Sequence, residues 1–198
     1  MNKKLILASG SPRRAQLLEQ MGVSFESISV DIDETPYLNE VPIEYVKRLA
    51  TQKAQAVSLE ERKKKVLILG SDTAVVINGN ILGKPVDKQH ALEMLTMLSG
   101  KTHQVLTSVA LLGLNENCLV SESKVTFKNL SDQEKEWYWM TGEPLGKAGG
   151  YAIQGKAAMF IEYLEGSFSA VMGLPLYETA NLLKQEGYQL MVGLQNER

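Results

Sequence analysis

Two arginines stand where local electrostatics would not put them. In Ser9-Gly10-Ser11-Pro12-Arg13-Arg14 a short apolar run gives way to a helix begun by proline. Both guanidinium groups fall in its first turn, beside an N-terminus that already carries about half a positive charge. Backbone N–H groups, serine hydroxyls and arginine forks converging on one strand-to-helix turn make sense around a polyanion, most simply phosphate. The alternative is that both arginines reach solvent or pair with the acids of Asp31-Ile32-Asp33-Glu34-Thr35. The segment is neither GxxxxGK[ST] nor GxGxxG.

A second group, Gly70-Ser71-Asp72-Thr73, directly follows the apolar run Val66–Leu69. Ligands of open α/β sheets gather beyond the carboxyl ends of strands, where Asp72 would hold a metal or orient water; read blandly, it caps its own turn. Gly83-Lys84-Pro85 sets a lysine in a rigid turn, within reach of phosphate or simply of solvent. Together with Asp72, the acids Asp31, Asp33 and Glu34 could supply the oxygen ligands that magnesium prefers. Alternation along an extended segment puts Asp31 and Asp33 on one side and Glu34 on the other. Lys53, on the polar side of an amphipathic helix, reads by itself as a solvated charge. Gly146-Lys147-Ala148-Gly149-Gly150-Tyr151, with Gln154, is polar enough to line a base pocket, or is a plain surface turn.

Other chemistries are excluded. His90 and His103 lack ligand spacing to another histidine or cysteine, so no zinc site is expected. GxSxG is absent and no serine has a matching histidine and acid. The single cysteine, Cys118, forbids an internal disulfide and fits a reducing compartment. A formal net charge of −2 argues against a nucleic-acid-gripping protein. The apolar stretch near the N-terminus is too short for a signal peptide and no run approaches membrane-spanning length, so a cytoplasmic protein without membrane contact is expected.

The elements that must position these residues follow from periodicity. Strands are expected over Lys4–Ala8, Phe25–Val30 and Val66–Leu69, and helices over Pro12–Met21 and Pro42–Val57, with Ser11 as the N-cap of the first. Ala74–Ile77 and Ile81–Leu82 flank the hairpin signal Asn78-Gly79-Asn80. Asp87 caps a helix to Leu98, and Val105–Leu114 pairs with Cys118–Phe127. Ser131 and Glu134 form a capping box for a helix to Met140. Ala157–Leu164 is a strand and Leu176–Glu186 a final helix, while Glu60–Lys65 is a mixed-charge turn. Trp137, Tyr138 and Trp139 cannot all be buried on one helix. Helices alternate with strands but hairpins forbid a purely parallel sheet: the class is α/β, with a mixed sheet, in 198 residues read as one domain.

Taken in order, ASGSPRR, IDE, GSDT, LGKP, GKTHQV, GEPLGKAGGYAIQG and VMGLPLYET resemble the Maf family of nucleoside triphosphate pyrophosphatases, from Leu7 to about Thr179. The resemblance implies an elongated mixed sheet flanked by helices, similar to inosine triphosphate pyrophosphatases, with two lobes around a cleft. It implies cleavage of a nucleoside triphosphate to the monophosphate and pyrophosphate. Arg13, Thr73 and Gln154 resemble the dTTP/UTP branch rather than the one acting on 7-methyl-GTP. The family's proton acceptor falls on Asp72, and its phosphate and metal contacts on Ser9, Arg13, Arg14, Glu34, Lys53 and Lys84. A divalent cation is implied, magnesium first, with manganese or cobalt as alternatives and Glu34 and Asp72 as ligands; base and metal ligand are rival roles for Asp72. Homodimers occur among relatives. Gly146 departs from the aspartate many relatives carry. The competing reading is a nucleotide-sensing or partner-binding protein that inhibits septum formation with little hydrolysis.

Overall fold

The computed structural model describes residues 3–57 and 66–190. The mixed-charge turn expected at Glu60–Lys65 lies outside the described residues. Strand β1 (Leu5–Leu7) runs into helix α1 (Pro12–Gln20), then β2 (Glu26–Ser27), α2 (Pro42–Gln55), the long β3 (Leu67–Ile77) and β4 (Asn80–Leu82). After α3 (Lys88–Leu98), β5 (Thr102–Leu112) and β6 (Glu116–Phe127) form a hairpin. Helix α4 (Asp132–Met140), two 3-10 turns, β7 (Ile161–Glu165) and helices α5 (Phe168–Met172) and α6 (Leu176–Gln185) complete the order.

The strands make one mixed seven-stranded sheet in the order β2-β1-β3-β5-β6-β7, with β4 on β3. β1 is parallel to β2 and β3, and the remaining pairs are antiparallel. Side chains alternate along β3. Ile68, Ala74 and Val76 pack with Ala54, Val57 and Val46 of the α2 side. Leu67, Leu69, Val75 and Ile77 join the larger core with Leu17, Leu18, Leu182 and Leu183. One helix therefore covers one face of β3, and the other face holds most of the apolar mass.

Three expectations are corrected. GSDT is not a turn beyond a strand: β3 continues through it without a break. The polar letters mask the strand, although each has a partner within the sheet or across the core. The strand expected at Phe25–Val30 shrinks to two residues. The one expected at Ala157–Leu164 begins only at Ile161, because the backbone N–H groups of Lys156 and Ala157 donate to the Glu143 carboxylate, at 2.9 and 3.2 Å, rather than to a neighbouring strand. In α4, Tyr138 is fully buried while Trp137 stays 40% exposed, as an edge-of-core aromatic would.

Candidate active site

Both neighbours of β3 on one edge are short. β1 pairs with it only at Leu67–Leu69 and β4 only at Val75–Ile77, so the intervening Gly70–Ala74 has its only ladder partner, among the described residues, on the β5 side. A cavity of about 610 Å³ opens at that gap. Ser9, Arg13, Arg14, Glu34, Lys53, Asp72, Thr73, Lys84 and Gln154 all line it.

Asp72 sits mid-strand on the face that α2 covers. Gly70, two residues earlier on the same face, decides how close α2 can come. A Cβ there would lie 2.1 Å from the Ala50 carbonyl oxygen and 2.8 Å from the Ala54 nitrogen. With glycine the helix settles onto the strand, and Lys53, one turn beyond Ala50, reaches Asp72. Its Nζ donates to Asp72 Oδ1 at 2.6 Å and lies 2.7 Å from Glu34 Oε1. Lys53 is therefore not the solvated charge its helical position indicates: it is 7% exposed. Glu34 Oε2 accepts in turn from Lys84, at 2.6 Å. Ammonium and carboxylate alternate from Lys84 to Asp72.

These contacts set the titration of both acids. Burial raises the Asp72 carboxyl above its ordinary value, against the opposing pull of Lys53 and Arg14. Burial alone would raise Glu34 as well, but Lys53 and Lys84 outweigh it and hold the group at about 2. One acid is thus biased toward accepting a proton while the other stays charged.

The basic turn after β1 is built differently from the expectation. Ser11 occupies the N-cap position of α1, yet its hydroxyl caps nothing. Ser9 Oγ instead accepts from the Ser11 N–H at 3.1 Å and from Arg14 Nη1 at 3.2 Å. Arg14 Nε donates to the Gly173 carbonyl at 2.9 Å. Burial lowers the Arg14 pKa, against the pull of the Asp72 and Glu34 charges. A buried guanidinium held by a carbonyl and a hydroxyl keeps donors free for an anion. The Gly173 carbonyl, also 3.1 Å from Ser71 Oγ, is a positioning group that the sequence did not advertise. Its positive φ of 131° was the only local signal, in VMGLP.

Of the acidic segment, only Glu34 lines the cavity. Asp33 accepts from the Thr35 N–H at 2.9 Å and closes a local turn, and neither it nor Asp31 joins the ligand set that the sequence offered. Tyr45 of α2 also lines the cavity, unanticipated, and donates its hydroxyl to the Glu34 carbonyl at 2.9 Å. Among the described residues no group of three or more His, Cys, Asp or Glu could hold a metal ion. Two carboxylates facing one shared cation are a donor set that fits a hard divalent ion completed by substrate phosphates, the usual arrangement for magnesium. The cation they share here is the Lys53 ammonium.

The opposite wall comes from residues 146–154, which are not a plain surface turn: Gly149, Gly150, Tyr151, Ala152 and Ile153 are buried. A 3-10 turn at Ala148–Gly150 lets Gly149 lie against Val75, where a Cβ would meet the side chain at 2.9 Å. Glu143 braces the segment from behind, accepting from Tyr138 Oη at 2.7 Å as well as from the two backbone amides. Lys147 faces the cavity, its pKa lowered by burial and then by the charge of Arg13. Gly146 adopts φ 69° with open space around its Cα, so that corner of the wall is bare.

Comparison with known proteins gives the same picture from outside. The chain matches the Maf-like protein family over residues 4–186. It is 51% identical over 189 residues to a dTTP/UTP pyrophosphatase of Pseudoalteromonas translucida, covering 93% of this chain and 97% of the relative. A dTTP/UTP pyrophosphatase of Alkalilimnicola ehrlichii is 50% identical over 185 residues, covering 91% and 92%. Among solved structures, the Ham1 protein of Staphylococcus aureus superposes with a TM-score of 0.54 at 10% identity, over 93% of this chain and all of that one, which is a likeness of fold. With the motifs in register along nearly its whole length and half its residues shared with those relatives, this chain belongs to the Maf-like protein family.

Proposed function

We propose that the protein is a nucleoside triphosphate pyrophosphatase that hydrolyses dTTP and UTP, and modified pyrimidine triphosphates of the same shape, to the monophosphate and pyrophosphate. The observation that carries this reading is the convergence of Arg13, Arg14, Lys53, Lys84 and Lys147 on one cavity beside a buried carboxylate biased toward proton uptake. A triphosphate brings about four negative charges, and cations fixed before it arrives stabilise the charge of the departing pyrophosphate. The names of the relatives support the choice of pyrimidine nucleotides.

In this mechanism Arg14, Ser9 and the first turn of α1 receive the phosphate chain. Asp72 accepts a proton from water as the water oxygen bonds to the α-phosphorus. The bond from that phosphorus to the bridging oxygen breaks, and pyrophosphate leaves toward Lys53 and Lys84. General-base help of this kind contributes roughly 10² to 10⁴ in rate. Glu34, joined by Asp72 where that acid serves as ligand instead of base, would hold a divalent cation, magnesium first and manganese or cobalt as alternatives, which when bound neutralises phosphate charge. Thr73 and Gln154, with Arg13, would read the pyrimidine edge or its sugar, where an unmade hydrogen bond discriminates strongly. Residues 1–198 act as one unit on a free nucleotide, in the cytoplasm, where Cys118 stays reduced. No described helix is long and apolar enough to cross a membrane.

The test is product analysis with dTTP, UTP and the other common triphosphates in magnesium. Monophosphate plus pyrophosphate supports the reading. Diphosphate plus phosphate ends it, and tight binding without turnover would favour the nucleotide sensor.

A further inference from the structure

We propose that Arg48, which does not line the cavity, is the positioning residue that fixes where the Glu34 carboxylate stands, by strapping residues 34–40 onto α2. The inference rests on the role given to Glu34 above.

Beyond the contacts of Tyr45, Lys53 and Lys84 with Glu34 itself, the segment has few attachments. No helix or strand runs between β2 and α2, and within it Tyr37 is 60% and Leu38 94% exposed, so apolar burial contributes little there. Arg48 supplies the missing attachments. Its Nε and Nη2 donate to the two oxygens of Glu40, each at 2.6 Å, a bidentate fork between side chains only 14% and 9% exposed. Nη2 also donates to the Thr35 carbonyl at 3.1 Å, the residue directly after Glu34. The guanidinium carbon lies 3.9 Å from the centre of the Tyr37 ring, over its face. Gln52, one turn on, accepts from Nη1 at 3.2 Å and steadies the fork from the helix side.

The strap closes through a left-handed residue. Asn39, at φ 60°, bends the chain so that Glu40 returns toward α2, and the Tyr37 N–H donates to Glu40 Oε2 at 3.0 Å. Three residues of α2 then grip one loop. Tyr45 holds the Glu34 carbonyl, Arg48 the Thr35 carbonyl and Glu40, and Lys53 the Glu34 carboxylate. The helix that carries Lys53 to Asp72 thus also sets the partner acid. An error of about 1 Å in such a group costs up to roughly a hundredfold in rate. Lysine cannot replace the planar fork, which engages both Glu40 oxygens and the carbonyl together.

The experiment combines hydrogen exchange with a double-variant cycle. In Arg48→Ala, backbone amides of residues 35–41 are expected to exchange faster while those of β3 and β5 are unchanged. Turnover should fall roughly tenfold or more, with a raised metal requirement and little change in the nucleotide KM. Arg48→Lys, which keeps stem and charge, should fold and show the same loss. In a Glu34→Gln background, Arg48→Ala should cost nothing further. Unchanged exchange at 35–41, rescue by lysine, or additive losses in the double variant each overturn the strap. Wild-type turnover in Glu34→Gln would instead overturn the role given to Glu34, whatever the exchange data show.

Discussion

Lys53 Nζ lies 2.6 Å from Asp72 Oδ1 although the two residues come from different layers of the fold, a helix and the strand beneath it. That bond leaves one carboxylate oxygen for water and presents an acid whose burial favours proton uptake. Asp72→Asn keeps the size and loses the basicity. It should retain the thermal stability of the parent and bind triphosphate, while turnover falls at least about a hundredfold. Parent-like turnover would remove Asp72 from the chemistry.

The pH profile follows from the same pair. The acid limb of kcat/KM reports the free enzyme. Its midpoint should lie above the roughly 3.9 of an ordinary aspartate, because Asp72 is raised and must be ionised to act. Glu34, at about 2, titrates too low to shape that limb. In Lys53→Met the neighbouring positive charge is gone, so the residual activity should show the limb displaced to higher pH. A limb that moves down would contradict the arrangement.

Gly70→Ala tests how that pair is assembled. The added methyl would press on the Ala50 carbonyl at 2.1 Å, and both atoms belong to regular elements that do not yield cheaply. Overpacking of this kind costs about 1 to 3 kcal/mol. Calorimetry should show a lowered Tm, and turnover should drop further than stability accounts for, since α2 carries Lys53 away from Asp72. A stable variant of normal turnover would mean that the helix reseats freely.

How much of this was legible in the sequence depended on which forces wrote each part. The helix at 42–55 and the hairpin at Asn78-Gly79 were plain because apolar spacing and turn chemistry are local. The unbroken strand through Gly70-Ser71-Asp72-Thr73 was not. Ser71 finds its partners at Ser108 and Gly173, far along the chain. The five-residue α5 is too short to show a period. Most site residues were recognisable by type, Lys53 only through the family resemblance, and the cavity gathers them but leaves out Asp31 and Asp33. Lys147 was legible only as part of a loop that could line a base pocket, while Tyr45 and the Gly173 carbonyl were hidden because their placement depends on tertiary packing, Tyr45 on the seating of α2.

Lys147 earns its own variant. It faces the cavity near Arg13, and its ammonium donates to the Leu145 carbonyl at 3.3 Å. Lys147→Ala should raise the KM for a triphosphate several-fold to tenfold while changing kcat less. Steady-state kinetics with dTTP decides it, and an unchanged KM would place Lys147 outside the binding surface.

His103 governs stability rather than chemistry. It is 2% exposed, shares a 2.8 Å hydrogen bond with Tyr151 and is held by burial at about 4. Its folded pKa lies below the unfolded value of about 6.5. The contribution is therefore complete above pH 6.5 and is lost as pH falls from there toward 4, by about 3 kcal/mol at most. Urea unfolding across that window should show the slope in the parent and a flatter one in His103→Gln.

Glu143 braces the wall that carries Lys147 and Gln154 through Tyr138 and the amides of Lys156 and Ala157, without touching the strand or helix that hold Asp72 and Lys53. Template and scissors are braced from different places and meet where Gly149 lies against Val75 of β3. On the proposed reading, divergence within residues 146–154 would alter which nucleobase is admitted while Asp72 and Lys53 stay in place. A bare corner such as the one at Gly146 is where such divergence would first be written.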